Sequence, residues 1–184
     1  MRSHPRKSKR PRSKAGFTLI EAMMGTVIFA IAGVGVLTGL LQARKMTEGS
    51  IYVATATTVA QGYIEQIKNM EFNLLDGSSI PELISQGQPD SLLVSPLAAD
   101  VESGDANTDL VNTRSIDINN TPDNADDDLA INFVVYVEDI TDDANGVGDA
   151  RRIVLRWYYT DNTTGSDVHV GNTLYAIRSR IPTY

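Results

Sequence analysis

The sequence predicts an α+β protein, one long N-terminal helix packed on a C-terminal antiparallel sheet. Three observations carry the prediction. A helix-compatible stretch runs unbroken from Thr18 to about Asn73, first apolar all round and then amphipathic. The last third of the chain alternates apolar and polar residues in three runs. The 184 residues contain no cysteine, which excludes a disulfide framework or a thiolate metal site in place of a packed core.

Charge divides the chain at its start. Residues 1–16 carry seven cations (Arg2, Arg6, Lys7, Lys9, Arg10, Arg12, Lys14) and no acid, whereas residues 17–184 carry nine basic against twenty-three acidic groups. A basic head on an acidic body argues for two environments and against nucleic acid as a direct partner. From Ala22 to Ala43 there is no charged residue, and the apolar character begins at Phe17. Residues 17–43 are long enough to cross a hydrocarbon core of about 30 Å. Cations before such a segment hold the N-terminus in the cytoplasm and send the rest outward. An ordinary signal peptide competes, but its apolar region is shorter and ends at a small-residue cleavage site. Glu21 is the anomaly, because a carboxylate within a membrane segment costs about 2.5–3.5 kcal/mol and needs a partner. Gly35 and Gly39 form a small-xxx-small pair that permits close helix approach, although glycine is common in membrane helices generally.

The junction Lys14-Ala15-Gly16-Phe17-Thr18-Leu19-Ile20-Glu21-Ala22 resembles the leader junction of type IV prepilins and of the pseudopilins of type II secretion. The resemblance implies a pilin-like fold and a basic leader, residues 1–16, cut by a prepilin peptidase/methyltransferase between Gly16 and Phe17. Phe17 would then be the N-methylated mature terminus, and Glu21 the residue that pairs with a neighbouring subunit's terminal amine during assembly. Other pilins or pseudopilins and an inner-membrane assembly platform are the implied partners, the location being a bacterial inner membrane with a periplasmic C-terminal domain and then the filament. Ala60 to Met70 and the strand Arg152–Tyr158 with Trp157 are similar to PilV-like minor pilins and GspI-like pseudopilins. Many members carry a proline within the first helix, whereas this chain has none between Phe17 and Pro81.

Residues 44–76 read as the amphipathic half of the helix, with a stripe at Met46, Val53, Ala56, Ala60, Tyr63, Ile64, Ile67, Met70 and Leu74 and a stop at Asp76-Gly77-Ser78. Residues 77–184 form the head. Its first part, to residue 130, is rich in Gly, Pro, Asn and Asp; it reads as an irregular, solvated acidic connector with short strands at Leu92–Val94 and Arg114–Ile118. Ile131–Ile140, Arg152–Thr160 and Leu174–Ile181 read as an antiparallel meander whose one face meets the helix, and Trp157 as a packing aromatic.

Catalytic chemistry finds no footing. There is no phosphate loop, HExxH or GxSxG, and the two histidines, His4 and His169, have no ligand-spaced neighbours. The loop from Asp139 to Asp149 offers Asp142, Asp143, Asn145 and Asp149 as hard oxygen ligands for calcium, but an EF-hand register puts Thr141 first and Arg152 last, so that motif fails. A hairpin turn is the simpler reading. No cofactor is required. The functional expectation is a minor pilin or pseudopilin subunit; the alternative is a membrane-tethered periplasmic binding domain, for calcium in one version, that never polymerises.

Overall fold

The computed structural model describes residues 16–184 except 122, 125, 127, 146–147, 162–167 and 181–184. Leader residues 1–15, the Gly146 of the acidic turn and Ile181 therefore lie outside the described residues. The architecture is the α+β arrangement the sequence predicts: a long helix packed against antiparallel sheets. The chain divides after Arg44 into two units.

The first unit is the start of helix α1 (Leu19–Asn69). Its side chains are apolar on every side, so no face is selected for a protein core, and Phe17, Leu19, Phe29, Leu37 and Leu41 are all more than 60% exposed. The helix contains an eighteen-residue stretch apolar and long enough to cross a membrane, none of it buried.

In the second unit the same helix becomes amphipathic and buries Ala56, Ala60, Tyr63, Ile64 and Ile67. Ala56 and Ala60 present no bulk, so sheet side chains come close to the helix backbone. Two of the expected stripe positions differ: Met46 and Val53 stay 69% and 40% exposed, lining an open cleft with Tyr159 and Val170. The helix also stops four residues earlier than expected, at Asn69. Glu71 turns extended and Phe72–Asp76 winds as a short 3-10 helix. That change of winding shifts the periodicity by one, so Leu75 rather than Leu74 enters the core and Phe72 stacks beneath the Arg151 guanidinium.

The expected irregular connector is corrected in two places. Residues 79–93 form a hairpin, β1 (Ser79–Ser85) and β2 (Gln88–Leu93). Gln86 and Gly87 both take positive φ, 50° and 77°, the requirement of a type I′ turn. Pro81 and Pro89 argue against strands here, but the strand accommodates Pro81 with a bulge at positive-φ Glu82. Ile80, Leu83 and Leu92 are buried as a result.

Residues 95–110 are also not merely solvated. Leu110 N–H donates to Ser95 Oγ (2.8 Å), closing the neck of a loop that places Val101 against Val134, Tyr136 and Val154. Asp109 accepts from Tyr136 OH and pairs with Arg156 (3.4 Å). Gly104, at φ 72°, is needed at this contact, because a Cβ there would fall 1.7 Å from Arg156 Nη1.

The main sheet has the order β3-β4-β5-β6, all antiparallel: β3 (Asn112–Ile116), β4 (Leu129–Asp139), β5 (Ala150–Asp161) and β6 (Val168–Ser179). β6 begins six residues before the expected Leu174. One sheet face carries Ile131, Phe133, Val135, Ile153, Leu155, Trp157 and Tyr159 to the helix; the other carries Val134, Tyr136 and Val154 to the loop just described. Burying each such aliphatic side chain contributes about 1.5–3 kcal/mol. Tyr63 on the helix meets Phe133 edge-on, with ring centroids 5.2 Å apart.

A half-buried polar cluster joins helix, hairpin and sheet. Arg114 grips Asp90 through Nε (2.8 Å) and Nη2 (2.6 Å), and Tyr63 OH donates to the same carboxylate (2.5 Å). Burial opposes ionisation of Asp90, but the bonds from Arg114, Tyr63 and the Ser91 N–H outweigh it and hold the carboxyl below the usual range.

Candidate functional site

The N-terminal junction is built from local backbone requirements. Gly16, Phe17 and Thr18 are not helical, and helix α1 starts at Leu19, so Thr18 is its N-cap. Glu21 N–H donates to Thr18 Oγ1 (3.3 Å), while Thr18 N–H and Oγ1–H donate to Glu21 Oε2 at 3.4 and 3.3 Å. This reciprocal arrangement is a capping box, in which two helix-end donors are satisfied by one threonine and one glutamate. Gly16 and Phe17 lie exposed beside it, Phe17 at 81%. A Cβ on Gly16 would meet nothing within 4 Å.

Glu21 thus has a partner in its own chain. Terminal amines are the partners its position in the sequence suggests, and Thr18 is the one such reasoning misses. The signal is nonetheless present as Thr-x-x-Glu directly before an apolar run. A carboxylate in the first helical turn also complements the partial positive charge of the helix N-terminus.

Residues 11–37 match the prokaryotic N-terminal methylation motif. The chain carries the N-terminal signature of the type IV prepilin and pseudopilin family. The match spans Gly16, Phe17, Thr18 and Glu21 and most of the apolar stretch; it supports a pilin-like precursor, and the motif implies peptidase processing and other pilins as partners. No curated protein and no solved structure matches the chain.

In the acidic turn Asp139, Asp142 and Asp149 have partners within the chain. Asp142 accepts from the side-chain amide of Asn145 (2.6 Å), which with the Asn145 N–H lowers its pKa. Asp149 pairs with Arg180 (3.3 Å), and Asp139 with Arg151 (2.7 Å). The side chain of Asp143 and residue Gly146 lie outside the described residues. Among the described residues no three His, Asp or Glu side chains come together as a metal-binding group. Elsewhere, Trp157 is 2% exposed and stacks on Tyr159 at 6.5 Å, in keeping with a packing role, and among the described residues its indole Nε1 has no partner. His169 Nδ1 lies 3.3 Å from Thr160 Oγ1, and its ring meets Tyr158 edge-on.

Proposed function

We propose that this chain is a minor pilin or pseudopilin subunit. A prepilin peptidase cuts it between Gly16 and Phe17 and methylates Phe17, and an inner-membrane platform then assembles it into a type IV pilus or type II secretion pseudopilus. The carrying observation is that the apolar start of α1 is left entirely unburied by its own chain while being headed by the methylation motif. Such a surface is satisfied first by lipid in a bacterial inner membrane, with the head periplasmic, and then by helices of other subunits. In this reading Glu21 has two successive partners. In the precursor its carboxylate caps the helix through Thr18; in the filament it meets the cationic terminus of a neighbour, because an uncompensated amine in an apolar setting is strongly unfavourable. The pair fixes register, and apolar packing supplies most of the cohesion.

The test is co-expression of the full chain with a prepilin peptidase, followed by intact-mass analysis. The expected product starts at methylated Phe17, with Gly16→Ala tolerated far better than Gly16→Val. A leader retained despite active peptidase would reduce the protein to a tethered domain and overturn the proposal.

A further inference from the structure

The two edges of the main sheet are finished differently. Ile140 N–H donates to Ala150 O (3.1 Å), and Arg180 N–H donates to Asp149 O (2.9 Å). Continued along the β4–β5 and β5–β6 registers, these bonds turn the even-numbered residues of β6 toward β5. The odd-numbered residues, from His169 to Ser179, therefore direct their N–H and C=O groups away from the sheet. On the opposite edge the outward carbonyls are taken. Thr113 O accepts from Arg114 Nη1 and Ser115 O from Gln86 Nε2, both at 2.9 Å. Where β3 has not yet begun, Ser95 N–H occupies Val135 O (2.8 Å).

On β6, among the described residues, a single outward group is blocked: Thr173 N–H donates to the Asn172 side chain (2.7 Å). Among the described residues no bond takes the outward groups of Gly171, Tyr175, Ile177 or Ser179. The strand is twelve residues long and carries no lysine or proline to keep its edge from pairing, and its arginine, Arg178, is half-buried, with Nε unpartnered among the described residues. Tyr175 and Ile177 stand beside the open groups at 50% and 64% exposure. Edge donors and acceptors, flanked by apolar side chains at alternate positions, are what strand addition requires.

Charge selects the occupant. Residues 45–184 carry eight Lys/Arg against twenty-two Asp/Glu. Five of those cations, Arg114, Arg151, Arg152, Arg156 and Arg180, are already held by carboxylates of the head. Asp100 and Glu102 lie near Tyr175. Two copies of so acidic a head repel, whereas a basic segment is drawn in.

We propose that the open edge of β6 is a strand-addition site for an extended, net-basic segment of another protein chain, with apolar side chains placed beside Tyr175 and Ile177. The site belongs to the head alone and does not depend on cleavage or assembly of the N-terminal helix.

The experiment uses the full chain in detergent micelles and follows backbone amide exchange by NMR, with a short synthetic peptide alternating lysine and valine and its glutamate–valine counterpart as probes. The lysine peptide should slow exchange at Tyr175, Ile177 and Ser179 by at least about tenfold while the even-numbered amides, already bonded to β5, change little. The glutamate peptide should have no effect. Ile177→Pro removes an outward N–H without touching the β5 ladder, so it should keep the melting transition of the head and lose the slowing. The odd-residue pattern in the wild type decides the matter even if that variant does not fold. No slowing with the lysine peptide, or equal slowing with both peptides, would overturn the proposal. Slowing that grows with protein concentration and needs no peptide would assign the edge to a second copy and overturn the stated partner.

Discussion

The two halves of helix α1 share one backbone geometry and meet opposite fates. Up to Arg44 none of the large apolar side chains is buried; from Lys45 to Asn69 five residues are. The amount of apolar surface does not separate them in the intuitive direction, since the more apolar half is the unburied one. What differs is distribution. Apolar side chains around the whole circumference of Leu19–Arg44 define no core face, whereas small and apolar residues spaced by three and four at Ala56, Ala60, Tyr63, Ile64 and Ile67 define a narrow stripe that a sheet can cover. Pattern, rather than apolar content, decides whether a helix finds a core in its own chain.

The sharpest way to break the comparison is to exchange the requirements of the halves. Val34→Lys should abolish membrane retention in a carbonate-extraction assay, since a cation at that depth costs about 2.5–3.5 kcal/mol or more, yet leave the thermal melt of the head unchanged. Phe133→Ala should do the reverse. It removes the ring that meets Tyr63, costs about 3–5 kcal/mol of head stability in a denaturant titration of the detergent-solubilised chain, and leaves membrane retention intact.

A smaller effect sharpens the description of the second half. Asp90→Asn should cost about 1–3 kcal/mol, because Arg114 and Tyr63 lose a common charged partner at a site where the Asp90 side chain is 15% exposed. The native carboxyl is held below its unfolded value, so its contribution is complete above the ordinary carboxylate pKa and disappears as pH falls through the lower, folded one. Wild-type and Asp90→Asn melting temperatures should therefore differ most near neutrality and converge in acid. Divergence on acidification would contradict the direction assigned to Asp90. The smallest change is expected at the head of the first half, where Thr18→Ala removes the cap at a cost of about 1 kcal/mol, read as fraying of the first turn in amide exchange of the micelle-bound chain.

What the sequence made legible follows the same division. The apolar run, the Gly16-Phe17 junction and the long alternating strands β4 and β5 announce themselves because each is a sustained pattern. The β1–β2 hairpin did not, since its turn uses Gln86 at positive φ, a conformation seldom signalled by glutamine, and its strands contain Pro81 and Pro89. Burial of Val101 was hidden for another reason. It depends on the outer face of the sheet, where Val134, Tyr136 and Val154 occupy positions that strand alternation assigns to solvent. Thr18 was legible in principle: its capping box is a local motif, overshadowed by the larger question of how Glu21 is neutralised.

That question bears on the central claim, that the N-terminal half of the helix is an assembly element and Glu21 its register device. The most direct measurement compares sheared filaments with membranes from cells making mature wild-type chain, Glu21→Val and Thr18→Ala. The account predicts wild type in the filament fraction and Glu21→Val cleaved, membrane-inserted and absent from it, because insertion is driven by the apolar run. Thr18→Ala, which keeps the carboxylate and loses the cap, should still enter. Normal recovery of Glu21→Val in filaments, or exclusion of both variants alike, would contradict the account and leave Glu21 as no more than the cap of its own helix.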